Sequence, residues 1–201
     1  MKMTILDRLL LFLTGILAAW QVAVGINGTE TLPLVAYTVA FGVLLVACLL
    51  LVILGFDVLE SPIVVIVSTI IPLSLSLGLV WENSIPLRMP YFIFAVVGFL
   101  SILFTRLLHF QNKLPIIVLA VVHGMAGLTI FLLPIVSALN GRADPPFALV
   151  GLGGALIGIG GLLLSFLKIG HPILSRSIIL RLLPLLLFLM TVSFVFGFRF
   201  S

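Results

Sequence analysis

The stretch "LVAYTVAFGVLLVACLLLVILG", residues 34–55, decides the fold class of this chain. It runs for 22 residues without a charged side chain. A helix needs about 20 apolar residues to cross the hydrocarbon core of a bilayer. Because no water reaches that depth, the backbone must satisfy its own hydrogen bonds, as a helix does. The stretch therefore predicts a transmembrane helix.

The composition of the whole chain agrees with this prediction. Of its 201 residues, 63% are hydrophobic and 8% are charged, and the mean hydropathy is +1.46. Soluble domains carry about 25% charged residues, since their surface faces water. We expect a single transmembrane helical domain over residues 1–201, with the lipid bilayer as its principal partner.

Six further apolar runs accompany the first, and short segments with proline, glycine and polar residues separate them. The predicted fold class is an all-α polytopic membrane protein, a bundle of about seven transmembrane helices. The fourth run is the shortest, so a protein with six spans is the alternative. The runs cover residues 9–26, 34–55, 63–81, 91–104, 114–139, 147–167 and 178–198.

Lysines and arginines between the runs predict the orientation, because cytoplasmic loops carry an excess of them. With the N-terminus in the cytoplasm, three of the ten lie outside: Arg88, Arg142 and Arg199. We therefore expect a cytoplasmic N-terminus, an external C-terminus and a plasma or inner membrane. The seven on the cytoplasmic side are Lys2, Arg8, Arg106, Lys113, Lys168, Arg176 and Arg181.

A weak internal repeat relates the two halves of the chain. The segment "TGILA" at residues 14–18 matches "HGMAG" at 123–127, and "GVLLVACLLLV" from Gly42 matches "GALIGIGGLLL" from Gly154. The pairing predicts a 3+1+3 parallel pseudo-repeat, because an odd fourth helix leaves both triplets in the same orientation. This layout resembles the small sugar transporters and cargo-retrieval receptors built from two three-helix bundles, but the chain lacks their Pro-Gln signature.

Several functional classes find no support in the sequence. The basic residues are scattered singly, so we expect no nucleic-acid partner. The single cysteine, Cys48, excludes an internal disulfide and a thiol redox pair. No carboxylate lies near the middle of a span, which counts against proton-coupled or sodium-coupled carriers and leaves uniport open. We predict no cofactor and no metal, since His109 and His171 lie at a boundary, away from the depth of His123.

His123 is the one ionisable residue placed deep in a span. Gly124 and Gly127 lie within one turn of it and predict close contact with another helix. We expect a neutral imidazole that is hydrogen-bonded to a carbonyl or hydroxyl of a neighbouring helix. The alternative is a functional histidine that relays protons or binds a ligand.

The third span gathers hydroxyl groups around a proline. Such hydroxyls can satisfy the backbone groups that Pro72 frees, or they can line a polar cavity. With His123, they are the candidate ligand-binding or structural polar residues of the chain: Ser68, Thr69, Ser74 and Ser76.

The sixth span is rich in glycine, which membrane helices use where they approach one another closely. Gly151, Gly154 and Gly158 are predicted to pack against another helix. We expect the neighbour of Gly154 and Gly158 to lie within the same bundle, and the alternative is a helix of another subunit.

Four further candidates lie at the predicted cytoplasmic boundary: Asp57, Glu60, His109 and His171. Carboxylates and imidazoles together could bind a metal or act on a lipid headgroup. They come from three different loops without a metal-binding spacing, so no catalytic residue is predicted.

Together these features favour a non-catalytic integral membrane protein, an accessory or assembly subunit that contacts other membrane subunits. A small facilitative transporter or channel for a small solute, which would use the third span and His123, is the alternative. An enzyme that acts at the cytoplasmic interface comes third.

Overall fold

The structure, a computed structural model, describes residues 3–26, 28–108, 113–169 and 174–200, and these residues form helices and short connections. Four short 3-10 helices accompany the α-helices, at Phe56–Glu60, Ile85–Leu87, Pro145–Phe147 and Phe198–Phe200. The α-helices are α1 (Ile5–Val24), α2 (Thr31–Leu54), α3 (Pro62–Asn83), α4 (Arg88–Leu107), α5 (Leu114–Leu139), α6 (Ala148–Ile169) and α7 (Arg176–Gly197).

All seven α-helices of the described ranges are long and apolar enough to cross a membrane, so the chain is an integral, multi-pass membrane protein. This confirms the predicted seven spans. The fourth span, which the sequence left open, is complete, because α4 has 20 residues and the preceding 3-10 turn extends the apolar span to 23.

Local signals set several helix ends. At the start of α1, the Thr4 hydroxyl accepts a hydrogen bond from the Asp7 amide, and the Asp7 carboxylate accepts one from the Thr4 amide. This reciprocal capping box satisfies two amides that the helix leaves unpaired. Gly25 and Gly55 follow α1 and α2 with φ of 70° and 77°, a conformation that glycine adopts without steric cost.

Six of the helices form a ring in which each contacts the next, in the order α1, α2, α3, α5, α6, α7 and back to α1. Helix α4 packs against α3 and α5. The triplets α1–α3 and α5–α7 therefore make equivalent contacts, and the third helix of each contacts the first of the other. A parallel 3+1+3 repeat predicts this pattern of neighbours.

The ring has two chemically different ends. Helices α1, α3, α5 and α7 end at what we call the Glu30 end, and the opposite end is the Lys113 end. Aromatic and aliphatic side chains fill the ring toward the Glu30 end. Its largest fully buried members are Tyr37, Phe41, Leu75, Leu79, Ile130, Phe147, Met190 and Phe194.

A second apolar cluster fixes α4 beside the ring. Ala95 and Ile102 of α4 pack with Val122 and Ala126 of α5 and with Leu73 of α3. Gly98 permits this approach, since a Cβ there would lie 3.0 Å from a Val122 methyl group. The rest of α4 exposes large apolar side chains, as a helix surrounded by lipid does.

Candidate functional site

The polar side chains of the Glu30 end form a network that joins three parts of the chain. Arg88, at the start of α4, donates to Glu30 Oε1 over 2.8 Å, and the Trp81 indole donates to Glu30 Oε2 over 2.9 Å. Arg88 Nε also donates to the Trp81 carbonyl over 2.6 Å, and its guanidinium lies 5.4 Å from the centre of the indole ring. Glu30 thereby ties the α1–α2 connection to the α3–α4 connection.

This environment favours the ionised form of Glu30. The hydrogen bond from Trp81 and then that from Arg88 lower the pKa of the Glu30 carboxyl below its ordinary value. The ion pair is open to water, so its effect on stability is modest and sensitive to salt.

Tyr37 forms a separate polar contact at the same end, inside the ring. Its hydroxyl donates to Glu82 Oε2 over 2.7 Å, and its ring centre lies 4.7 Å from that of Phe198. The ring packs directly on Gly78, where a Cβ would overlap it. Gly78 is therefore required for the position of Tyr37, and Tyr37 holds the Glu82 carboxyl at the edge of the aromatic core.

Helix α5 joins the same end through a weaker contact. The Ser137 hydroxyl donates to Asn83 Oδ1 over 3.2 Å, and Asn83 Nδ2 donates to the Leu79 carbonyl over 2.9 Å. The ends of α3 and α5 are thus linked, next to the Tyr37–Glu82 pair.

A cavity of about 280 Å³ lies at the Glu30 end, where α1 ends. Its walls include Trp20, Gln21, Phe198 and Arg199. The Arg199 guanidinium lies 5.2 Å from the centre of the Trp20 ring, and the buried Gln21 amide donates to the Gly25 carbonyl over 2.8 Å. The cavity thus combines a cation, an aromatic surface and a neutral amide.

Comparison with protein-family models, with curated proteins and with solved structures gave no match. The chemistry of this site is therefore inferred from its own side chains.

His123 lies on α5 and packs against α6. A Cβ at Gly161 would lie 2.8 Å from His123 Nε2, so the imidazole occupies space that only glycine leaves open. In the described part of the chain, this buried nitrogen has no hydrogen-bond partner. Nε2 therefore does not make the hydrogen bond that the sequence predicts. The glycine in contact with the imidazole ring is Gly161 on α6.

The hydroxyls around Pro72 differ in their surroundings. Ser76 is fully buried and donates to the Pro72 carbonyl over 2.6 Å, within its own helix. Thr69 is buried, Ser68 is exposed and Ser74 is half-buried. None of these four residues lines the cavity beside Trp20 or the smaller apolar cavity between α1 and α2.

The predicted packing glycines fall into two groups. Gly151 and Gly154 contact α5: a Cβ at Gly151 would lie 2.6 Å from the Phe131 carbonyl oxygen, and one at Gly154 would lie 2.7 Å from the Phe131 amide nitrogen. At Gly124, Gly127 and Gly158, in contrast, a Cβ would meet no described atom within 4 Å. The close contact within the bundle that the sequence predicts is found at Gly154, whereas no described atom lies within 4 Å of a Cβ at Gly158.

The predicted boundary group at the Lys113 end is only partly described. His109 and His171 lie outside the described residues, as does the Glu60 side chain, and Asp57 is exposed on the 3-10 helix after α2. Within the described ranges, no group of three or more histidine, cysteine or carboxylate side chains could hold a metal ion. Cys48 is buried between α1 and α2 as a small apolar residue.

Sequence reasoning missed the network at the Glu30 end. Its signal was present, because Glu30, Trp81, Glu82 and Arg88 all lie at or near the interruptions between runs on one predicted side. Aromatic and charged residues are common at any membrane boundary, so their types alone did not indicate that they meet.

Proposed function

We propose that this chain is a non-catalytic accessory or assembly subunit of a membrane complex, whose α5–α6 surface binds a helix of another membrane protein. The observation that carries the proposal is a group of glycines at which a Cβ would meet no described atom within 4 Å: Gly124, Gly127 and Gly158.

These glycines form one surface. Helices α5 and α6 run antiparallel, with Gly154 against Phe131 and Gly161 against His123. Gly158 lies between Gly154 and Gly161 on α6, and Gly127 lies between His123 and Phe131 on α5, so both glycines border the α5–α6 contact. Both are partly exposed, and Gly124, one turn away, is exposed. We call this surface the α5–α6 glycine groove.

A glycine groove costs stability unless another helix uses it. Glycine lowers helix propensity by about 1 kcal/mol relative to alanine. In lipid, helices associate through close backbone approach, because the bilayer supplies no hydrophobic drive between them. Gly151 and Gly154 obtain such contacts from α5, whereas the groove supplies equivalent backbone surface for a partner helix.

The filled ring favours a subunit over the alternative of a facilitative transporter. Phe41, Phe194 and Met190 occupy the ring interior, and each is at most 2% exposed. The buried hydroxyls of Thr14, Ser76 and Thr191 donate to carbonyls of their own helices. A transporter built on this ring would have to separate those aromatic contacts.

The test compares a tagged wild-type chain with Gly127→Leu and Gly158→Leu variants, purified in a gentle detergent. Quantitative mass spectrometry should show a membrane protein at constant stoichiometry with the wild type and lost from both variants. Gly42→Leu is the matched control, because Gly42 of α2 also has no described atom within 4 Å of a Cβ. Its complex should persist.

Two results would contradict the proposal. One is a wild-type chain that purifies alone and moves a solute across liposomes, which would favour a transporter. The other is recovery of the same partner with all the variants, which would place the interface on another surface.

A further inference from the structure

A second site, at the Glu30 end, is independent of the glycine groove. We propose that the cavity beside Trp20 binds the phosphate of an anionic phospholipid, with Arg199 as the cation and the outer face of α1 as the surface for an acyl chain.

The position of the cavity matches the depth of lipid headgroups. It lies where α1 ends at Val24 and where α7 passes into its last 3-10 turn. Trp20 forms one wall and is 37% exposed. Tryptophan is enriched at the membrane–water interface because its ring is apolar and its N–H is polar.

The charge of the cavity fits an anion. Arg199 is exposed, and no carboxylate within the described ranges lies at ion-pair distance from it. The Trp20 ring restricts the guanidinium through a cation–π contact at 5.2 Å. Arginine binds phosphate through two parallel N–H···O bonds, and phosphates are the anions concentrated at this depth.

The size of the cavity fits one group rather than a whole lipid. Its volume of about 280 Å³ is at the lower limit of small-molecule pockets, which start near 300 Å³. Val24 and Ile26 add apolar walls beside the buried Gln21 amide. A phosphate with its glycerol thus meets both polar and apolar contacts there.

The outer face of α1 indicates a lipid rather than a soluble phosphate. Phe12, Ile16 and Trp20 are exposed at four-residue spacing, which gives an apolar strip from the cavity toward the middle of the membrane. A second cavity of about 120 Å³ borders this strip at Phe12 and Ile16, and its lining is entirely apolar. A soluble phosphate ester would use neither feature.

The experiment measures lipid binding to the full chain, delipidated in a neutral detergent. Phosphatidylglycerol, phosphatidylcholine and inorganic phosphate are titrated separately, and native mass spectrometry and thermal melting are recorded. We expect one phosphatidylglycerol per chain and a melting temperature that rises with its concentration, because a ligand that binds the folded state stabilises it. Arg199→Gln should weaken this binding about tenfold or more, since a bidentate charge-assisted contact is lost.

Two further variants test whether the loss of lipid binding is specific to Arg199 and to its guanidinium group. Arg142→Gln removes another exposed arginine at the same end and should bind phosphatidylglycerol as the wild type does. Arg199→Lys keeps the charge without the bidentate geometry and should show intermediate affinity. It also provides the comparison if the glutamine variant does not fold.

Three outcomes would overturn the proposal. Equal phosphatidylglycerol binding by wild type, Arg199→Gln and Arg199→Lys would remove Arg199 from the site. Equal binding of phosphatidylcholine would remove the preference for an anionic lipid. Protection by inorganic phosphate at the same concentrations would assign the cavity to a soluble phosphate.

Discussion

The Tyr37 hydroxyl donates a 2.7 Å hydrogen bond to Glu82 Oε2 across the interface of α2 and α3, while the Tyr37 ring lies against Gly78 of α3. One side chain thus positions a carboxyl group through its polar tip and fills the helix contact through its ring. The stability of the Glu30 end depends on both contacts.

We expect Tyr37→Phe to lower the free energy of unfolding by about 1 kcal/mol, because the half-buried Glu82 carboxyl loses its donor while the ring packing is kept. Thermal unfolding in detergent measures this loss. Tyr91→Phe is the control, since the Tyr91 hydroxyl contacts neutral hydroxyls, those of Ser76 and Thr129, and a smaller loss is expected than for a contact with a carboxyl group. Equal losses in the two variants would show that the Tyr37–Glu82 hydrogen bond stabilises the fold no more than the Tyr91 contacts do.

Gly78→Ala should destabilise the protein, because its Cβ would overlap the Tyr37 ring and force α2 and α3 apart. The expected cost is about 1–3 kcal/mol, typical of overpacking. Gly42→Ala, where the Cβ meets open space, should leave stability unchanged or raise it by up to about 1 kcal/mol through helix propensity. A Gly78→Ala variant as stable as Gly42→Ala would contradict the close ring contact.

Glu30 should make stability depend on pH. Its folded pKa is lowered by Trp81 and Arg88, so the folded state binds fewer protons there than the unfolded chain. The stabilisation is complete above the ordinary glutamate pKa and is lost as pH falls through the lowered folded one. Between neutral pH and about pH 3, the melting temperature of the wild type should therefore fall more than that of Glu30→Gln.

The control for this titration is Asp144→Asn, which removes an exposed carboxylate at the same end and should keep the acid sensitivity of the wild type. If Glu30→Gln and the wild type lose stability in parallel on acidification, the ion pair does not contribute.

Gly154→Leu and Gly158→Leu should separate internal packing from partner binding. The first places a side chain against the backbone of Ile130 and Phe131, so we expect the isolated chain to lose about 1–3 kcal/mol or to misfold. The Cβ of the second would meet no described atom within 4 Å, so we expect the isolated chain to lose much less stability than with Gly154→Leu. A Gly158→Leu chain as unstable as Gly154→Leu would mean that the groove is closed in the membrane.

His123→Leu should leave stability unchanged or raise it, because it removes a buried nitrogen that has no hydrogen-bond partner in the described part of the chain. The hydrogen bond that the sequence predicts for His123 would make this substitution a small loss instead. The melting temperatures of the wild type, His123→Leu and His123→Gln distinguish these two expectations. A marked loss in the leucine variant alone would reveal a hydrogen bond to the imidazole.

The sequence by itself determined that this protein lies in a lipid bilayer, that it is all-helical and that it has about seven spans, with the fourth left open. These follow from the length and hydrophobicity of segments such as residues 34–55, which are properties of consecutive residues. The Thr4–Asp7 capping box and the glycines after α1 and α2 are equally local.

Only the tertiary structure decided the order of helices in the ring, the position of α4 beside it and the site at the Glu30 end. Tyr37 and Glu82 are 45 residues apart, and Glu30 and Arg88 are 58 apart, so no local pattern pairs them. The same holds for the glycines, because Gly154 and Gly158 have the same sequence character and a Cβ would collide with α5 only at the first. In a bilayer, lipid and protein interior are both apolar, so hydrophobicity does not select which helix face turns inward. Shape complementarity and hydrogen bonds between helices determine which face turns inward. These contacts exist only after the chain has folded.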